Sequence, residues 1–144
     1  MIPDRLVRKF ALWPAAFWWG SLTTLGFFVV PMLFARLPSA AMAGNMAANL
    51  FGVQTAISVV CALLILLIER AGVRDGAGEG VPLSAAPGFM AIVAGMLLAL
   101  LVEFGAAPHI QARDNLALWH TAATVMYFLQ WLCAGRALFV AACK

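Results

Sequence analysis

The sequence predicts an all-α, polytopic membrane protein: four transmembrane helices as two antiparallel hairpins, with both termini on the inner side (N-in/C-in). Three observations carry this. Of 144 residues, 65% are hydrophobic and 10% charged, against about 45–50% and about 25% in soluble domains. The mean hydropathy is +0.97. The few charges also separate four uncharged runs, 10–35, 37–68, 80–102 and 115–135, of 26, 32, 23 and 21 residues. A helix needs roughly 20 apolar residues to cross about 30 Å of hydrocarbon, so each run is long enough. Lipid offers no partner to open backbone groups, which leaves helices or closed barrels. No segment alternates apolar and polar residues as a barrel strand must. So little charge cannot coat a water-facing surface, which excludes a cytosolic enzyme, a disordered linker, a disulfide scaffold and a coiled coil. The whole chain, 1–144, reads as one four-helix domain. Its spans cover about 10–36, 40–69, 88–107 and 115–136, and a cytoplasmic loop covers 70–87.

Lys and Arg set the orientation. Arg5, Arg8, Lys9, Arg70, Arg74, Arg136 and Lys144 fall on one side, and only Arg36 and Arg113 on the other. Both termini are therefore placed in the cytoplasm, and the chain in a bacterial inner membrane as a multi-pass protein. Basic loops facing anionic lipid account for the positive balance, so no nucleic-acid partner is expected. Arg5, Arg8 and Lys9 followed by Ala41-Met42-Ala43 resemble a signal peptide, but the run between is far longer than the roughly 7–15 residues of its apolar core. It is read as an uncleaved first span. Cys61, Cys133 and Cys143 form no CxxC and read as small apolar filler.

Within span one, Trp13 suits the membrane interface, Pro14 lies in the first turn, and Pro31 should kink the last turns by failing to bond the Phe27 carbonyl. The short Leu37-Pro38-Ser39 connection makes a tight hairpin, with Ser39 as N-cap of span two. Small residues recur every fourth position in span two (Ala40, Gly44, Ala48, Gly52, Ala56) and again as Ala91, Gly95 and Ala99 in span three. Such stripes let helices approach closely, so Gly44, Ala48, Gly52, Gly95 and Ala99 are the expected packing residues. They also predict a homo-oligomer or a larger membrane complex. The segment 70–87 is rich in Gly, Ala and Pro, lacks a phosphate-loop pattern and reads as a flexible linker. Pro31-Met-Leu-Phe-Ala-Arg36 echoes Pro108-His-Ile-Gln-Ala-Arg113, which suggests two hairpins of like topology.

Ionisable groups inside spans are costly and tend to face the bundle interior. Glu103 lies roughly 6 Å inside the outer end of span three, and His120 roughly 7–8 Å inside that of span four. Asn45 lies at a similar depth below Ser39, with Asn49 one turn deeper. Asn45, Asn49, Glu103 and His120 therefore form a candidate outward-facing polar pocket, set against the plainer reading of a hydrogen-bonded cluster that fixes helix register. His120, Thr124, Tyr127 and Trp131 share a line on span four. A copper or zinc ion on His120, Glu103 and His109 is the metal alternative. Haem, with Met126 or Met32 as second ligand, is the least favoured reading. No cofactor is expected, and no HExxH, GxSxG or triad spacing appears.

Span one reads WWGSLTTLGFFVVPMLFARLP, span two begins AGNMAANLFG, and APHIQAR precedes LALWH. Through Gly20, Gly26, Pro31, Phe34, Gly44, Phe51, Pro108 and His120 the chain resembles a bacterial family of four-span membrane proteins of unknown function. That family, of the DUF4149 type, is related to eukaryotic transmembrane protein 205. The resemblance implies a four-helix membrane domain, in a family with no agreed catalytic activity. Its eukaryotic relative's association with metal-drug resistance hints at small-solute or metal handling. The family pattern has serine three residues and asparagine seven residues after the histidine; this chain has Ala123 and Tyr127 there. The expected role is a non-enzymatic binding or assembly module in contact with membrane lipid. Small-solute or metal-ion transport through the outward pocket is the alternative.

Overall fold

In the computed structural model, which describes residues 9–76, 83–86 and 88–143, all regular structure is helical. Four helices are long and apolar enough to cross a membrane: α1 (Leu12–Arg36), α2 (Ala40–Gly76, apolar through Ala71), α3 (Phe89–Gln111) and α4 (Leu116–Ala142). Each packs on two neighbours, in the cyclic order α1–α2–α3–α4. Large apolar side chains point outward along the bundle, among them Phe17, Phe28, Leu67, Phe104 and Phe139, each at least 60% exposed. Water would penalise that surface and hydrocarbon does not, so the chain is a multi-pass membrane protein.

Two prolines shape the odd-numbered helices. Pro31 and Pro108 have no N–H for the carbonyls of Phe27 and Phe104. Upstream of each the helix widens to a π-helical stretch, Leu25–Val29 in α1 and Leu101–Ala106 in α3. This local change of register keeps a helix continuous through a proline in lipid. The expected end of span three at Ala107 is therefore corrected: α3 runs through Pro108 to Gln111. The two Pro-x-[Leu/Ile]-x-Ala-Arg segments share this device, which strengthens the echo seen in the sequence. At the first hairpin the Met42 N–H donates to Ser39 Oγ at 3.2 Å, the expected cap. At the second, Arg113 and Asn115 adopt left-handed backbone (φ 56° and 41°), a conformation that asparagine tolerates better than most residues. The Glu69-Arg70 boundary does not end α2, which continues to Gly76. Residues 77–82 and 87 of the expected linker, and the charges at Arg5, Arg8 and Lys144, lie outside the described residues.

Packing is uneven along the bundle. The end that carries Leu12 of α1 and Ala142 of α4 is tight. Trp18, fully buried, sits among Ala11, Ala15, Cys61, Ala62, Ile65, Ile92 and Ala134. Near the middle a polar knot joins three helices. Gln54 Nε2 donates to Ser21 Oγ at 3.0 Å, and Gln130 Nε2 donates to Ser58 Oγ at 2.9 Å. Ser58 in turn donates to the Gln54 carbonyl at 2.8 Å. Toward the two hairpins the bundle opens.

Candidate functional site

The opening is a cavity of about 320 Å³ that all four helices line. Each helix supplies its wall for a local reason. The π-helical stretch of α1 brings Gly26 to the lining, and that of α3 brings Val102 and Glu103. A π turn rotates the following side chains away from the ordinary helical face, so both prolines bear on the shape of this site. From α2 come Gly44, Ala48 and Phe51, and from α4 come His120, Ala123, Thr124 and Tyr127.

The floor is aromatic. The Tyr127 hydroxyl donates to the Leu22 carbonyl at 2.8 Å, just where α1 changes register. The ring of Tyr127 meets Phe51 edge-on at 5.4 Å between centroids. It lies so close to Gly26 that a Cβ there would stand 2.6 Å from a ring carbon; glycine is required by this approach.

Glu103 faces the cavity, partly buried, with its carboxyl against Gly52: a Cβ at position 52 would meet Oε1 at 3.4 Å. Among the described residues no side chain hydrogen-bonds or ion-pairs with this carboxyl, and Glu103 and His120 make no salt bridge with each other. His120 is exposed on the adjoining wall, which α4 supplies. The hydroxyls beside them are already committed, Thr124 Oγ1 to the His120 carbonyl at 2.8 Å and Tyr127 to Leu22. What remains for a guest is one acid, one imidazole and, near the mouth, the Gln111 amide, set in a mostly apolar wall.

The sequence-predicted residues divide on this geometry. Glu103 and His120 line one cavity. Asn45 and Asn49 do not: both are exposed on the outer face of α2. Depth along a helix placed all four at one level, but depth says nothing of rotation about the helix axis. Among the packing residues, Gly95 is buried and Ala99 is 1% exposed. Gly44 and Ala48 line the cavity instead of a helix contact, and a Cβ at Gly44 would meet nothing within 4 Å. Gly52 makes room for Glu103. His109 is outside the cavity lining; its ring stacks on Trp119 at 4.1 Å and its Nδ1 lies 3.3 Å from Asp114. The set of His120, Glu103 and His109 is therefore not assembled, and no group of three or more His, Cys, Asp or Glu is placed to hold a metal among the described residues. Sequence reasoning missed Gly26, Phe51 and Gly52 as parts of the site. The 26-to-31 spacing of glycine to proline was the available signal.

Residues 13–117 match the model of a family described as domain of unknown function (DUF4149). The match spans well over half of the chain, which belongs to that family. No curated protein and no solved structure matches it. Ala123 and Tyr127, the two positions at which a polar family pattern was expected, both line the cavity.

Proposed function

We propose that this DUF4149 member is a non-enzymatic binding module that holds a small solute within the membrane. The observation that carries the reading is the unpartnered Glu103 carboxyl facing a cavity built by all four helices. Buried ionisable groups in a membrane are costly and mark binding sites or pathways. The cavity is at the low end of the size range of ligand pockets, roughly 300–1,000 Å³. Among the described residues nothing around Glu103 forms a nucleophile–base pair, which favours binding over catalysis.

The test is native mass spectrometry of the protein extracted from its own membranes. A small-molecule adduct is expected on the wild type, and its loss on Ala123→Phe, which fills the cavity from α4. Adducts of equal abundance on both proteins, or on neither, overturn the reading.

Small-solute transport is a second reading, favoured by the paired proline and π-helical segments in α1 and α3, two of the four helices that line the cavity. Such segments are hinge points, and one lies on either side of the guest.

The charge bias of the connections supports both termini in the cytoplasm, and the sequence resemblance noted above supports a bacterial inner-membrane protein akin to transmembrane protein 205. Cys143 is exposed beyond α4. A membrane-impermeant maleimide is expected to label it in inverted vesicles and not in intact cells. A Ser39→Cys, Cys143→Ser variant should show the reverse, and labelling of both sites from one face would refute the four-span orientation.

A further inference from the structure

We infer that the occupant of the cavity is a small hydrophobic ammonium: an amine-derived cation on an apolar body. The inference rests on the binding reading above and names the chemical class that the site recognises. Three features converge on it. The first is charge. Among the described residues no lysine or arginine lines the cavity, and Glu103 is its one acid. An ionised carboxyl in apolar surroundings is costly unless paired, and the protein supplies no partner among the described residues. A cationic guest supplies one.

The second feature is what surrounds the acid. Phe34, Phe51 and Tyr127 line the same space, and the faces of aromatic rings attract ammonium groups, the basis of aromatic cages for methylated amines. The Tyr127 hydroxyl is tied to Leu22, so the ring offers its π surface and not a donor. The third is Gly52. With no side chain there, the Glu103 carboxyl lies close against the backbone of α2, and Glu103 lines the cavity where a guest can meet it.

An anionic guest is disfavoured. It would place its charge beside Glu103, and among the described residues no arginine or lysine lines the cavity to compensate. A divalent metal ion is disfavoured because a third ligand is missing among the described residues. The ammonium has two sources, a free small amine or the head group of an aminophospholipid entering from the bilayer.

The test uses the full chain in phosphatidylglycerol nanodiscs, with equilibrium dialysis of benzyltrimethylammonium and of its neutral carbon isostere neopentylbenzene. Binding is read relative to empty discs. The cation is expected to bind, with affinity at least tenfold lower in Glu103→Gln, while retention of the neutral probe is the same in both proteins. Glu103→Asp, which keeps the acid, should retain the preference for the cation. Phe51→Leu should weaken the cation more than the isostere. Repeating the titration in discs containing phosphatidylethanolamine separates the sources: competition by that lipid assigns the site to a head group, and unchanged affinity assigns it to a free amine. Equal binding of the two probes, or cation binding indifferent to Glu103→Gln, overturns the ammonium inference and leaves the binding module standing. If neither probe is retained yet a natural adduct is lost on Ala123→Phe, the inference falls alone; if the adduct is absent as well, both fall.

Discussion

Replacing Gly95 by valine is expected to destabilise the bundle by about 3 kcal/mol, measured as a shift in the unfolding midpoint when the purified protein is titrated with sodium dodecyl sulfate. Even a single Cβ at this position would stand 2.9 Å from Cη2 of Trp18 and 3.1 Å from Cβ of Cys133. Neither neighbour can retreat. Trp18 is fully buried, held by α1, α2 and α4 at once. The Cys133 Cβ is fixed to the backbone of α4. The ring is fitted so closely that its indole Nε1 is buried with no hydrogen-bond partner among the described residues, a cost of about 1–3 kcal/mol that the surrounding contacts must exceed. The valine methyls would force α3 away from α1 and α4. Gly44→Ala is the control: its Cβ enters open space, and the change should stay within about 0.5 kcal/mol of the wild type. Similar losses at both positions would mean that the small residues act through helix propensity and not through close approach.

Gly95 and Gly44 look alike in the sequence, each within a repeat of small residues four apart. The reason they behave differently is geometric. At 3.6 residues per turn a four-residue step overshoots a full turn by about 40°, so a strict four-residue stripe winds around the helix. From Ala40 to Ala56 the drift reaches about 160°, and both of those alanines are exposed. The face of α2 that is buried runs instead through Ala43, Ala47, Gln54, Ser58, Cys61, Ile65 and Glu69, where steps of four are interrupted by steps of three and seven that bring the row back toward the helical repeat. Over the three positions Ala91, Gly95 and Ala99 the drift is small enough to keep the last two buried.

The same argument explains the site. Four helices, their hairpins and the Ser39 cap were legible because charge spacing, length and a short polar connection are one-dimensional signals. Rotation was not legible for Asn45 and Asn49, because the hydrophobic face of a membrane helix is almost as apolar as its packed face and gives no amphipathic reference. The His120–Thr124–Tyr127 line survived because its steps of four and three track the true helical repeat. The widening of α1 and α3 before Pro31 and Pro108 was foreseen only as a kink at Pro31. A missing N–H says that the ladder must change, but not whether it opens, bends or ends.

Replacing Ser58 by alanine is expected to cost about 2 kcal/mol, the second-largest loss, although it removes a single oxygen. That oxygen accepts from the Gln130 amide at 2.9 Å and lies 3.5 Å from the Gln54 amide. Gln54, Ser58 and Gln130 are 4%, 0% and 2% exposed, so neither amide can turn to water when the acceptor is gone. A buried donor left unsatisfied costs about 1–3 kcal/mol. Hydrogen bonds between membrane helices average about 0.6 kcal/mol and reach about 1.7 kcal/mol, because partly unfolded states in lipid also find partners. Ser58→Ala exceeds that average because it orphans Gln130 and removes one of the neighbours of Gln54. In Gln130→Leu a donor disappears with its partner left free to serve Gln54, so the loss should be smaller, about 1 kcal/mol. The Ser58→Ala, Gln130→Leu double variant should be about 1 kcal/mol more stable than the sum of the two single losses predicts. Strictly additive losses would show that the knot has no cooperative role, and that α1, α2 and α4 are held in register by the packing around Trp18 alone.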